Sequence, residues 1–334
     1  MTESTGAPAV TEPAGQELLL DQHRTELVAY CYRMLGSAFE AEDAVQESMV
    51  RAWRGLDRFE GRSSLRSWLY RIATNVCLDM LGSSQRRARP MDLGPASPGD
   101  SPVPAPRPES TWLGPIPDSM VLPEGDPSDV AVARESVRLA FVAALQHLPA
   151  RQRAVLILRE VLSWPAAEVA TLLDTSVASV NSALQRARAT LAAADLSDSD
   201  PVRPLDEGQR ELLARYVDAF ERYDMDALAA VLHEDATMSM PPLALWLRGV
   251  ADIRTWMLGN GAGCRGSRLV PTAANGTPAF GHYKPGGTAG VLEPWGVVVL
   301  DIAQGRVTGI HTFLDTERLF PLFGLPPRLD ATAG

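Results

Sequence analysis

The stretch from Pro90 to Pro127 carries eleven prolines in 38 positions. Proline fixes its own φ and lacks the N–H that a helix interior or a central strand needs. No regular element runs through such a segment, so the chain must fold as separate bodies on either side of it. Residues 91–130 read as a linker, and 334 residues suit two or three domains. Trp112, Leu113 and Ile116 are apolar interruptions that a passive tether does not need.

Both flanks read as helices. Leu27, Tyr30, Cys31 and Met34 recur at i, i+3, i+4, i+7; so do Ala41, Ala44, Val45, Ser48 and Ala52, and then Leu69, Ile72, Ala73, Val76 and Met80. These are core stripes and no cofactor box. Helical periodicity returns over 131–194. A short acidic break at 195–204 precedes an amphipathic helix with Leu212, Leu213, Tyr216, Val217 and Phe220, and a second helical stretch at Asp226–His233. Strands are expected at Val291–Leu292, Gly296–Ile302 and Val307–Phe313. Residues 1–16 are small, polar and proline-containing, and are expected to be disordered.

The net charge of −10 is unevenly spread. Residues 17–50 sum to −5 and residues 195–334 to −6, but 51–90 hold nine arginines against three acids, a local +6. Phosphate binding depends on the local field, since charges are screened over about 8 Å in cells. Cys31, Cys77 and Cys264 have no metal-ligand spacing, so no metal or cofactor is expected. No apolar run approaches a membrane span, and the expected location is the cytoplasm.

Opposite its core stripe, the helix at 41–53 presents Asp43, Gln46 and Glu47. A small-residue loop follows, with Gly61, Arg62, Ser63 and Ser64, and then a helix with Trp68, Arg71 and Asn75 on one side and Arg86 and Arg87 beyond its end. Loop pockets, aromatics and arginines together suit single-stranded DNA. "AEDAVQESMVRAW", "FEGRSSLRSWLYRIATNVCLDML" and "RRARP" resemble the σ2 domain of extracytoplasmic-function RNA polymerase sigma factors, over residues 17–90. The resemblance implies that Asp43, Gln46 and Glu47 dock on the β′ clamp of core RNA polymerase. It assigns the Gly61–Ser64 loop, Trp68, Arg71 and Asn75 to −10 promoter DNA, and Arg86 and Arg87 to phosphates.

Between Ala150 and Leu191 two helices flank a tight polar turn, a helix-turn-helix pattern. "LPARQRAVLILREVLSWPAAEVATLLDTSVASVNSALQRARATL" resembles σ4, which contacts the β flap and reads the −35 element. By that resemblance Ser176, Ser179, Asn181, Ser182, Arg186 and Arg188 face −35 DNA. Asn181 and Ala183 stand where the family commonly has lysine and arginine, so a shifted preference is expected; asparagine pairs bidentately with adenine. The two promoter elements lie about two and a half turns apart, about 80–85 Å. An extended linker of about 36 residues reaches about 110 Å, enough to span them. Its apolar residues imply that part of it binds inside the polymerase.

From 205 to 330 the order helix, helix, strands resembles the cone-shaped α+β fold of SnoaL-like domains in the NTF2 superfamily. Met240, Trp246, His282, Trp295 and His311 are its candidate pocket residues; no acid–base dyad follows from their spacing. The fold expected is thus two all-α sigma domains followed by an α+β cone. The function expected is promoter recognition for core polymerase, without catalysis. Rival readings are a SnoaL-like isomerase or cyclase fused to a DNA-binding module, and a ligand-sensing regulator. The acidic third part facing the basic 51–90 segment favours intramolecular docking. Nothing in the sequence signals an anti-sigma partner.

Overall fold

The computed structural model describes residues 19–61, 63–82, 86–123, 126–193 and 206–330. The expected disordered N-terminus, the 195–204 break and Arg62 lie outside these. Three helices, α1 (Arg24–Leu35), α2 (Ala38–Gly55) and α3 (Leu65–Leu81), form the first body. The predicted stripes are its core: Leu27, Tyr30, Ala41, Val45, Leu69 and Ala73 are fully buried. Ser37 and Ser64 cap α2 and α3 by accepting the N–H of Glu40 (3.4 Å) and Ser67 (3.1 Å).

After the short α4 (Asp118–Val121) come α5 (Pro127–Val137), α6 (Leu139–Leu145), α7 (Ala150–Leu156), α8 (Ala166–Leu172) and α9 (Val177–Ala193). Past Leu156, α7 passes into a π-turn at Ile157–Val161. In the third part, α10 (Glu207–Glu221) and α11 (Met225–Val231) lead into β1 (Leu232–Ser239) and β2 (Trp246–Arg248). Then follow α12 (Val250–Leu258), β3 (Arg268–Ala274), β4 (Thr277–Pro285), β5 (Val291–Ala303), β6 (Arg306–Phe313), α13 (Thr316–Leu322) and β7 (Leu329–Asp330). The sheet runs β2-β1-β6-β5-β4-β3, with β7 beside β5; β1 and β6 are parallel and the other pairs antiparallel. Its two faces separate by alternation. Met238, Val298, Leu300 and Ile310 pack inward against α10–α12. Val297, Val299 and Phe313 face out, into one buried cluster shared with the helices that precede them in the chain.

The proline-rich segment is not an extended tether. Trp112, Leu113, Ile116 and Val121 are 4% exposed or less, and the last three sit in the shared cluster. Their apolar character is thus satisfied by the chain itself, where the sequence suggested polymerase. Burying each contributes about 2 kcal/mol, enough to collapse a segment that forms few hydrogen bonds of its own.

Candidate promoter-reading and regulatory sites

Asp43, Gln46 and Glu47 lie exposed on one face of α2, with Val50 (37%) and Trp53 (58%) beside them. An acidic face edged by exposed apolar side chains is suited to a protein partner. Gly61, Ser63 and Ser64 are exposed; Trp68 is half-buried against Phe59, at 5.0 Å between centroids. Arg71 and Asn75 project from α3 into solvent.

Arg86 and Arg87 part company. Arg86 is exposed and hydrogen-bonded to His147. Arg87 is 4% exposed and bonds Glu40 (2.8 Å), Glu109 (3.0 Å) and the Trp112 carbonyl (2.7 Å). The expectation that Arg87 holds phosphate is therefore corrected: its charge is spent pinning the interdomain segment to α2.

On α9, Val180, Leu184 and Ala187 are buried while Asn181, Ser182, Arg186 and Arg188 are exposed, so an open face of the helix faces water. Arg188 pairs with Glu160 at 2.5 Å. Ser176 caps the helix, its Oγ accepting the Ser179 N–H at 3.1 Å. Ala183 is half-buried against the core, which leaves Asn181 as the more accessible departure from the family pattern.

The two helical bodies are in contact. Trp164 packs on Tyr70 of α3 (5.0 Å between centroids), and Arg66 lies over both rings (5.2 and 5.3 Å). Buried Arg153 donates to Gln146 Oε1 (2.7 Å) and to the Met34 carbonyl at the end of α1. Buried Arg33 donates to Ser136 Oγ at 2.6 Å. Both guanidiniums have carbonyl and hydroxyl partners in place of carboxylates, and burial pulls each down to about 10.

The third part reaches into this seam through the β3–β4 hairpin. Asn275 and Gly276 adopt φ +55° and +72°, the left-handed turn that Asn-Gly favours. Asn275 is wholly buried and donates to Tyr32 Oη (2.6 Å) and the Val137 carbonyl (2.8 Å); its Oδ1 accepts the Ile116 N–H (3.1 Å). Gly276 N–H donates to Asp118 at 2.7 Å. One hairpin tip thereby touches α1, the interdomain segment and α5.

Of the predicted pocket residues, Met240, His282 and Trp295 line the cone, which encloses about 180 Å³. Trp246 and His311 do not. Trp246 donates its indole N–H to the Gly94 carbonyl (2.9 Å). His311 faces outward, Nδ1 to Ser239 Oγ and Nε2 to Asp301 Oδ2, both at 2.9 Å. Burial raises the Asp301 carboxyl, but the His311 hydrogen bond, with Arg138 and Arg89 nearby, brings it below its ordinary value. Sequence reasoning missed Ser239 and Asp301, whose register on β1 and β5 brings them to His311 on β6. Ser239 and His311 of this Ser–His–Asp chain border a cavity of only about 10 Å³, lined also by Arg89, Pro90 and Leu139, with no room for a substrate. His282 is 3% exposed and bonded to Ser267 (2.9 Å); burial pushes it down to about 3. Among the described residues no cluster could hold a metal ion, and no helix is long and apolar enough to cross a membrane.

Family models match three parts of the chain: Sigma-70 region 2 at residues 19–87, Sigma-70 region 4 at 138–191 and a SnoaL-like domain at 213–310. Over 333 residues, 98% of this chain and 89% of the relative, 46% of positions are identical to the ECF RNA polymerase sigma factor SigG of Mycobacterium tuberculosis. A probable ECF sigma factor of the same organism, SigI, is 27% identical over 90% of this chain and 93% of its own length. The crystal structure of the Mycobacterium tuberculosis extracytoplasmic function sigma factor SigJ shares the fold, with a TM-score of 0.59 and 22% identity over 94% of this chain and all of that one.

Proposed function

Since the chain belongs to the ECF family of RNA polymerase sigma factors, and so directs promoter-specific initiation, we propose that it is held closed by its own C-terminal domain. In this reading Asp43, Gln46 and Glu47 receive core polymerase. The Gly61–Ser64 loop, Arg71, Asn75 and Arg86 meet −10 DNA, and the exposed face of α9 meets −35 DNA. The described residues of these surfaces are open to solvent, yet σ2 and σ4 touch through Tyr70 and Trp164. Bodies in contact cannot at once occupy elements about 80 Å apart. Initiation therefore requires σ4 to leave σ2, and the interdomain segment to leave the core and extend.

The observation that carries this is the Asn275–Gly276 tip, which bonds α1, the interdomain segment and α5 at once. The C-terminal domain acts here as a clasp and not as a catalyst; the sealed Ser239–His311–Asp301 chain supports that choice over the enzyme reading. Gly276→Ala tests it. A Cβ at Gly276 would lie 2.8–3.0 Å from Arg134 atoms and would be strained at φ +72°. Promoter-dependent transcription with purified core polymerase should rise several-fold for this variant. A fall in transcription with unchanged core affinity would reject the clasp in favour of a positive role in assembly.

A further inference from the structure

The cone cavity is walled by Tyr216, Phe220, Met240, Trp256 and Trp295, and one of its residues comes from elsewhere in the chain. Val103, 55% exposed, belongs to the segment joining σ2 to σ4 and still lines the cavity. The segment crosses the rim and is fastened along it. Ser97 N–H donates to the Trp246 carbonyl (2.8 Å), Gly99 N–H to Asp252 Oδ1 (2.9 Å), and Arg107 N–H to the Pro242 carbonyl (2.9 Å). From the domain side, Asn260 donates to the Ser101 carbonyl at 2.9 Å. Gly99 lies so close to α12 that a Cβ there would fall 2.3 Å from the Asp252 carbonyl oxygen.

We infer that the cone cavity binds a single-ring aromatic carboxylate, and that residues 97–107 are the lid through which its occupancy reaches the σ2–σ4 connection. Size sets the ring count. An apolar cavity of about 150 Å³ takes up benzene, so about 180 Å³ admits one ring and a small substituent. The aromatic and methionine wall offers faces and edges for stacking and sulfur contacts. Charge sets the substituent. Among the described residues lining the cavity Lys284 carries the one formal charge, and its ammonium lies 3.2 Å from the Trp295 ring centroid. His282, bonded to Ser267, adds no positive charge. A ring carboxylate would satisfy wall and ammonium together. Its outer edge would meet Val103, the lid's contribution to the cavity. The regulatory half of this inference rests on the closed-state reading above; the binding half does not.

Calorimetric titration of the full chain with benzoate, and with toluene as neutral control, tests the site. Benzoate should bind at one per chain. Lys284→Gln should weaken benzoate about tenfold and leave toluene unchanged, and Met240→Trp, which fills the cavity, should abolish both. Absence of saturable benzoate binding, or affinity indifferent to Lys284→Gln, overturns the site. Hydrogen exchange tests the lid: benzoate should speed exchange at the Ser97, Gly99 and Arg107 amides, and Gly99→Ala should do so without ligand. Unchanged exchange with benzoate bound overturns the lid. Transcription by the unliganded protein is measured alongside. Normal promoter-dependent activity in a protein that fails to bind benzoate refutes this inference alone and leaves the sigma reading standing.

Discussion

Burial to 4% takes the Arg87 guanidinium out of water, and it is stable there because Glu40, Glu109 and the Trp112 carbonyl share its charge. Removing one member of a buried pair costs about 3–5 kcal/mol, and less here because both glutamates can rehydrate. Arg87→Met should thus lower unfolding free energy by about 2 kcal/mol in urea titrations. Unchanged stability with weakened promoter binding would restore the phosphate role. His282 makes a pH prediction. Unfolded, its imidazole protonates near pH 6.5; folded, burial holds it down to about 3. Between these values the unfolded state binds the extra proton, so stability falls as pH drops, by up to about 1.4 kcal/mol per unit. His282→Gln should flatten that slope in denaturation curves taken from pH 7 to 4. Neither environment was legible in the sequence. Arg87 read as one of a run of arginines, and the glutamate that reaches back to it from the interdomain segment, Glu109, is 22 residues away. His311 found its partners only through strand register, which spacing alone does not reveal.

At the scale of elements, the helices were legible because each buries one periodic stripe, and their exposed faces follow by subtraction. The acidic face of α2 is a case. Asp43→Lys with Glu47→Lys should weaken co-purification with core polymerase at least tenfold while circular dichroism stays unchanged, since both side chains point into water. Undiminished co-purification would reject that face. On α9, Asn181 is exposed, so Asn181→Lys should steepen the log–log salt dependence of −35 binding by about 0.9. An unchanged slope would show that this position does not face phosphate. The companion change at Ala183 is a poorer probe, because that side chain is half-buried. The strands were less legible: β1, β2, β3, β4 and β7 escaped notice. The helical stretch expected at Asp226–His233 ends at Val231, with β1 beginning at Leu232, and Pro271, Pro278 and Gly281 masked the β3–β4 hairpin. The interdomain segment misled in the other direction. Proline count described correctly that no long element runs through it, short turns and α4 being all it holds, and said nothing about whether it packs.

Across the whole molecule, closure is a balance with costs on its own side. Trp112 Nε1, Trp164 Nε1, Arg134 Nε and Arg153 Nε are buried without hydrogen-bond partners, each a cost of about 1–3 kcal/mol. Trp164 and Arg153 lie on the σ2–σ4 seam itself. A seam carrying such costs is separable by a partner that binds the open form. Fluorophores at Ser63 and Arg186, both exposed, should therefore move apart by tens of ångströms when core polymerase and promoter are added. A constant separation would rule out opening. The outward face of the sheet has a further consequence. Val297, Val299 and Phe313 share one buried cluster with Leu113, Ile116 and Val137, so parting the domains bares apolar surface on both sides. The open factor is then a sticky molecule, and a second open copy offers it the same surfaces. In the closed-state reading, activation and self-association compete for that one intermediate, and its lifetime is set by how quickly polymerase captures it.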